Sequence, residues 1–113
     1  MPFDNCIAKV FTNTSIYRDA PAVSGVYGIS NAREWIYVGE TDNIQARLME
    51  HLQEESTFLT DRKPTGFAYE TCPSHSRMAR QNRLILELEP VCNRRSEQRR
   101  PDRGTQSRLN GQQ

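Results

Sequence analysis

Four side chains of the 113-residue sequence have the types and spacing that chemistry on a phosphodiester bond requires: Tyr27, Tyr37, Arg47 and His51. Hydrolysis of such a bond needs a base that deprotonates water and positive charge beside the phosphate. Arg47 and His51 lie four residues apart, so on a helix they share a face. A guanidinium can bind a phosphate through two donors, and a histidine can share a proton with a tyrosine. Each feature alone also fits ordinary structure: sheet packing for the tyrosines and a solvated helix face for the Arg–His pair.

The two tyrosines belong to glycine-containing segments that predict neighbouring strands. The first segment is residues 25–30 (GVYGIS), which begins with the triplet Gly25 to Tyr27. The second is residues 34–39 (EWIYVG), which ends with the triplet Tyr37 to Gly39. A short connection at 31–33 makes these segments a hairpin. Glycine weakens a strand, so Gly25 and Gly39 indicate a bend or the close approach of another group.

The segment after the hairpin predicts the helix that carries Arg47. Asp42, with Gln45 three residues later, is typical of a capping box, and the helix is expected to run to residue 53. Its buried stripe is expected to consist of Ile44, Leu48 and Leu52. Arg47 borders that stripe and is expected to project from the edge of the core towards the tyrosines.

The remaining elements complete a small α+β fold. Residues 67–71 predict a third strand, and a helix is expected over 74–88, ending before Pro90. Residues 8–11 could form a further short strand, but the first 23 residues are hard to interpret. The order ββαβα predicts a three-stranded antiparallel sheet packed with helices. We expect an N-terminal extension at 1–23, the domain at 24–93 and a tail at 94–113.

The spacing of these parts resembles the GIY-YIG nuclease domain family. Ten residues separate Tyr27 from Tyr37, and Arg47 follows Gly39 by eight. A helix leading to Pro90 and then Asn93 is similar to the way that family's pattern closes. The resemblance covers residues 25–93.

The resemblance implies a role for each matching residue. Tyr27 matches the general base, with Tyr37 orienting water or phosphate. Arg47 matches the arginine that stabilises the phosphate charge, and His51 falls where a residue supports the base. The resemblance also implies that Gly39 and Asn93 bind phosphate or DNA. The family also uses one divalent ion, magnesium or manganese, held by a glutamate on the later helix.

The position of that metal-binding glutamate reads Gln81 in this sequence. Met78, Ile85 and Leu88 predict an inward stripe with Gln81 in its middle. An amide there needs a hydrogen bond or a ligand, because burying it unsatisfied costs about 1–3 kcal/mol. It could tie the helix to the sheet, or it could be the remnant of a metal site.

Three outcomes follow from the glutamine. An amide oxygen lacks the charge that holds a hard cation, so hydrolysis could be weakened, with DNA phosphates supplying most ligands. Glu40 or Glu70 could take over the metal. The domain could also bind nucleic acid without cutting it. We therefore expect DNA as the partner, through a nuclease activity or, alternatively, a non-catalytic binding module; a protein-interaction domain is a third possibility.

Composition sets broader limits. A 35% hydrophobic content supplies one core, and no apolar stretch approaches the roughly 20 residues of a membrane span. The N-terminus lacks the pattern of a signal peptide. Cys6, Cys72 and Cys92 are odd in number and contain no CxxC pair, which favours a reducing, cytoplasmic location.

The charged residues are distributed unevenly along the chain. Residues 94–113 contain six arginines against Glu97 and Asp102, a net charge of +4, whereas residues 1–93 carry nine basic and twelve acidic side chains, a net charge of −3. With one large aliphatic residue, Leu109, the tail is expected to be disordered. It is either a solvated extension or an arm that binds polyanions. A protein partner could also supply targeting.

Overall fold

The computed structural model describes residue 3 and residues 8–53 and 61–93. Its strands are β1 (Lys9–Val10), β2 (Gly25–Ser30), β3 (Trp35–Thr41) and β4 (Gly66–Thr71). Its helices are α1 (Asn13–Asp19), α2 (Ile44–Gln53) and α3 (Ser74–Leu88). Residues 91–93 are also helical. The predicted tail, residues 94–113, lies outside the described residues.

The sheet is antiparallel throughout, in the order β1-β4-β2-β3. The predicted α+β fold with an antiparallel sheet packed with helices is confirmed, but the expected three strands are four. The additional strand is β1, where Lys9 pairs with Phe67 and Val10 with Gly66. Two residues are too few to show the alternation that identifies a strand, so this one depends on its partner.

Helix α1 was not anticipated from the sequence. Thr12 caps it, since its hydroxyl oxygen accepts a hydrogen bond from the Ser15 backbone N–H at 3.2 Å. Ile16 is fully buried and packs in the core beneath α2. Seven residues are too few for a helix to be stable alone, so tertiary burial of Ile16 stabilises this one.

Two hydrophobic clusters cover the two faces of the sheet. On one face, Tyr27 and Ile29 of β2 pack with Ile44 and Leu48 of α2. On the other face, Val26, Val38 and Leu84 form a second cluster beneath α3; the remaining members of that cluster are Phe3 and Ala68. Successive strand residues point to opposite faces, which is why Val26 and Tyr27 belong to different clusters.

The start of α2 differs in detail from the expected capping box. Asn43, not Asp42, is the capping residue, because its side-chain oxygen accepts a hydrogen bond from the Ala46 N–H at 2.9 Å. The Gln45 side chain instead donates to the Ala20 carbonyl at 3.0 Å and so ties α2 to the end of α1. Within the described residues, no helix is long and apolar enough to cross a membrane.

Candidate active site

Tyr27 and His51 form a buried hydrogen-bonded pair. The Tyr27 hydroxyl lies 2.8 Å from His51 Nε2, and the two residues are 1% and 8% exposed. Tyr27 stands opposite Gly39 in the β2–β3 register. A Cβ atom at Gly39 would lie 2.6 Å from the Tyr27 hydroxyl oxygen, well inside van der Waals contact. The glycine of the second triplet therefore leaves the space that the Tyr27 side chain occupies.

Tyr37 completes a triangle of rings with this pair. The Tyr27 and Tyr37 ring centroids are 6.2 Å apart, and each lies 5.6 Å from the centroid of His51. The contacts are tilted, within the range that favours aromatic pairs. Two neighbouring strands and α2 thus bring together three of the four side chains singled out in the sequence.

Burial sets the protonation states of the site. It raises the pKa of Tyr27 far above its ordinary value, and the neighbouring Tyr37 raises it further, while a hydrogen bond from Arg47 opposes the rise. Burial also raises the pKa of Tyr37. The pKa of His51 is lowered to about 4, first by burial and then by the positive charge of Arg47. Tyr27 is therefore a neutral phenol and His51 a neutral imidazole near pH 7, and the tautomer of His51 sets which of the two donates the hydrogen bond.

Arg47 connects this buried triangle to solvent. Its side chain is 44% exposed and makes an ion pair with Glu50, Nη1 to Oε1 2.6 Å. The hydrogen bond to Glu50 raises the pKa of Arg47, burial opposes the rise, and a hydrogen bond to Tyr27 adds to it. Arg47 thus meets the tyrosine and faces the outside at the same time. Glu50 was not identified from the sequence, although a carboxylate three residues after an arginine on a helix is a recognisable pairing.

Asn93 holds the backbone of β3. Its side-chain oxygen accepts a hydrogen bond from the Val38 N–H at 2.7 Å, and its amide donates to the Val38 carbonyl at 2.9 Å. Asn93 is buried, at 7% exposure. Because β3 is the last strand of the sheet, these two bonds satisfy backbone groups that would otherwise lie at an open edge. They fix the segment between Tyr37 and Gly39.

Gln81 lies half-buried on α3, on the opposite face of the sheet from Tyr27. Its amide donates to the Met78 sulfur at 3.4 Å and to the Asn82 side-chain oxygen at 3.3 Å, both on its own helix. Met78 is 55% exposed, so the predicted inward stripe through Met78 is wrong. The side of α3 that meets the sheet instead carries Arg77 and Arg80 in its first half and buried Leu84 in its second.

The two carboxylates that could have replaced the metal-binding glutamate are both paired with arginines. Arg77 Nε donates to Glu40 Oε1 at 2.8 Å. Arg80 makes a two-pronged contact with Glu70, with both distances 2.9 Å. The first half of α3 therefore meets the strands through ion pairs, which is why no apolar stripe extends back to Met78. Arg77 was not identified from the sequence, because its partner is 37 residues away.

A cleft of about 360 Å³ joins the two faces at the end of β3. The charged residues that line it are Glu40, Asp42, Arg47, Glu50 and Arg77. Arg47 reaches it from α2 and Arg77 from α3, so helices on opposite faces of the sheet supply one guanidinium each. Three carboxylates against two guanidiniums leave the cleft with one net negative charge.

The sequence model of the GIY-YIG catalytic domain matches residues 23–97. The chain therefore belongs to the GIY-YIG family, as the resemblance predicted. No curated protein matches it.

Solved structures show the same fold. The magnesium-bound GIY-YIG N-terminal endonuclease domain of UvrC from Thermotoga maritima superposes with a TM-score of 0.57 at 20% identity, covering 70% of this chain and 96% of that one. A point mutant of that domain, bound to its catalytic divalent cation, gives 0.56 at 22% identity, covering 70% and 94%. Family and fold together support a nuclease-like function.

In the part of the chain that the structure describes, the residues at and around the family's metal position do not fit a resident divalent cation. Gln81 offers a neutral amide, while Glu40 and Glu70 are engaged by arginines. Among residues 3, 8–53 and 61–93, no group of three or more histidine, cysteine, aspartate or glutamate side chains is placed to hold a metal. Magnesium prefers carboxylate and phosphate oxygens. Position 81 therefore supplies no charged ligand, and the two alternative carboxylates, Glu40 and Glu70, are already held by arginines.

Proposed function

We propose that the chain hydrolyses phosphodiester bonds of DNA at the cleft beside Arg47. The observation that carries the proposal is the 2.8 Å hydrogen bond between the Tyr27 hydroxyl and His51 Nε2, placed next to the Arg47 guanidinium. Such a pair can accept a proton from water, and the guanidinium supplies positive charge where the phosphate would lie. DNA is the polymer that the family resemblance implies.

The reaction can be written with the chain's own residues. A water oxygen attacks phosphorus and gives its proton to the Tyr27 oxygen, while the phenolic proton passes to His51 Nε2. The phosphorus–oxygen bond to the leaving group breaks, and the leaving oxygen takes a proton from solvent. Arg47 donates to a non-bridging oxygen and so stabilises the added negative charge. Without a metal-binding carboxylate at Gln81, slow turnover is expected.

A second candidate is a module that binds nucleic acid without cutting it. The observation that favours it is the neutral Gln81 amide, together with the pairing of Glu40 by Arg77. Such a module would retain the Arg47 contact with phosphate and lose the turnover.

A plasmid-nicking assay separates the two candidates. Supercoiled plasmid is incubated with the full chain, with Arg47→Ala and with Arg83→Ala, in magnesium, manganese or EDTA. Arg83 is exposed on α3 and serves as the matched control. Nicking by the parent and by Arg83→Ala, reduced at least about 100-fold in Arg47→Ala, supports the enzyme. Salt-sensitive binding without nicking supports the module, and absence of both would contradict the proposed function.

A further inference from the structure

Arg77 brings a second guanidinium into the cleft, from the helix that carries Gln81. Resting on the proposed function of the cleft, we propose that Arg77 is a fixed cation that replaces the divalent metal and binds a DNA phosphate directly. The site would then bind DNA without a metal ion, through Arg47 on one side and Arg77 on the other.

The position of Arg77 is the first support. It lies four residues before Gln81, so the two side chains are neighbours on the same face of α3. Its guanidinium reaches the end of β3, where Glu40 holds it at 2.8 Å. The positive charge therefore lies one helical turn from the residue that has lost its carboxylate.

The anchoring of Arg77 is the second support. Besides Glu40, its Nη1 donates to the Ser24 hydroxyl at 3.3 Å, and that hydroxyl donates to the Cys72 carbonyl at 2.7 Å. The side chain is 21% exposed, compared with 44% for Arg47. These contacts use Nε and one terminal nitrogen, and a guanidinium has five N–H donors in all. Donors thus remain for a phosphate oxygen on a side chain that is already held in place.

The charges in the cleft predict how substitutions at Glu40 and Arg77 change phosphate binding. Glu40 competes with any entering phosphate for the Arg77 guanidinium, and the cleft carries one net negative charge. Removing the Glu40 charge should strengthen phosphate binding, whereas removing the Arg77 charge should weaken it. If a metal ion bound in this cleft, the first change would instead remove a ligand and weaken binding.

The same geometry predicts that two features together prevent metal binding: the missing carboxylate at Gln81 and the guanidinium of Arg77. Restoring a carboxylate at Gln81 leaves the guanidinium of Arg77 beside it and Glu40 still paired. A divalent cation would meet like charge at close range. Gln81→Glu should therefore bind manganese weakly, and the double variant Arg77→Gln/Gln81→Glu should bind it more tightly.

The first test measures binding of a fluorescent DNA duplex to the full chain by anisotropy, in EDTA and in magnesium. We expect binding in EDTA with no gain in affinity on adding magnesium, a loss of about tenfold or more in Arg77→Gln, and a gain in Glu40→Gln. The control is Arg80→Gln, which loses a comparable ion pair outside the cleft and should bind as the parent does. Binding that requires magnesium, or equal affinities of Arg77→Gln and Arg80→Gln, would overturn the inference while leaving the proposed function standing.

The second test needs no DNA and titrates manganese into the proteins by calorimetry. If Arg77→Gln/Gln81→Glu binds manganese at least tenfold more tightly than Gln81→Glu does, the result supports the inference that Arg77 takes the place of the cation. Equal binding by these two variants, or tight saturable binding by the parent, would overturn it. If no DNA binding is found under any condition, the proposed function is contradicted. The manganese titration does not depend on DNA, so it still tests the inference about Arg77 separately.

Discussion

Burial keeps both Tyr27 and His51 neutral, and the proposed proton exchange between them depends on this. Burial raises the pKa of Tyr27 and lowers that of His51 to about 4, so neither charged form persists at the site. In the proposed reaction, Tyr27 would therefore take a proton from water only while its own proton moves to His51. The low pKa of His51 also means that the proton leaves again easily, which returns the pair to its starting state.

The pKa of His51 predicts a specific loss of stability in acid. Its folded-state pKa of about 4 lies below the ordinary value of 6.5, so between these values the unfolded chain binds more protons at this residue. The stabilisation is complete above pH 6.5 and is lost as the pH falls towards 4, by about 3 kcal/mol. Chemical denaturation from pH 7 to 4 should show that this part of the pH dependence disappears in His51→Gln.

The matched control is His75→Gln, since His75 is exposed at the start of α3. Its side chain lies outside the buried site, so this variant should keep the loss of stability in acid that is assigned to His51. Parallel curves for the parent and His51→Gln would show that His51 is not held neutral by its surroundings.

At the scale of elements, β3 determines the shape of the site. It is one of the two edge strands, with Tyr37 and Gly39 towards α2 and Glu40 paired with Arg77 of α3. A strand at the edge lets side chains from both faces meet around its end, which is where the cleft opens. Strand β2 lies inside the sheet, between β4 and β3, and its Tyr27 side chain is therefore deeply buried.

Gly39→Ala should displace Tyr27. The added Cβ would lie 2.6 Å from the Tyr27 hydroxyl oxygen, so the ring must move and its hydrogen bond to His51 is broken. We expect a loss of about 1–3 kcal/mol in the free energy of unfolding, with loss of nicking. Gly66→Ala is the control, because the nearest atoms to its Cβ are at 3.3 Å; a cost equal to that of Gly39→Ala would contradict this reasoning.

Asn93→Ala should loosen β3. It leaves the N–H and carbonyl of Val38 without their side-chain partners, at an expected cost of about 1–3 kcal/mol in stability. Hydrogen exchange at the Val38 amide should accelerate, whereas Asn82→Ala, an exposed control on α3, should leave it unchanged. An unchanged Val38 exchange rate would indicate that Asn93 does not fix the strand.

The elements that the sequence predicted well are those with their own internal signals. The apolar repeat around Ile44 and Leu48 and the proline after α3 gave both main helices, and the glycine triplets gave the hairpin. The signals are weak for β1 and α1, whose stability comes from Phe67 as a strand partner and from burial of Ile16. Local pattern does not encode such tertiary contacts.

The candidate site was predictable to a similar extent. Helical spacing placed Arg47 and His51 on one face, and the strand pairing brought Tyr27 and Tyr37 near them. The pairing of Glu40 with Arg77 was not predictable, because it joins the end of a strand to a helix on the other face. Asn93 was assigned to phosphate by resemblance, whereas its amide is engaged by the Val38 backbone.

At the scale of the whole molecule, charge is divided between an acidic body and a basic tail. Residues 1–93 carry a net charge of −3 and residues 94–113 a net charge of +4. Because the cleft itself has one net negative charge, the proposed function needs another part of the chain to attract DNA over distance.

Replacing the six tail arginines with glutamine should therefore reduce the salt dependence of DNA binding. Each arginine that contacts a phosphate contributes about −0.9 to the slope of log K against log salt. The slope should become shallower while thermal unfolding of the folded domain stays unchanged. A slope equal to that of the parent would show that the tail does not contact DNA.

Removal of a single oxygen atom tests the central role of Tyr27 most directly. Tyr27→Phe keeps the ring and its packing but cannot pass a proton to His51, and Tyr17→Phe changes a tyrosine that is 62% exposed. In single-turnover plasmid nicking, Tyr27→Phe should be at least about 100-fold slower than the parent with DNA binding retained, and Tyr17→Phe should match the parent. Nicking by Tyr27→Phe at the parental rate would contradict the assignment of Tyr27 and His51 as the reacting pair.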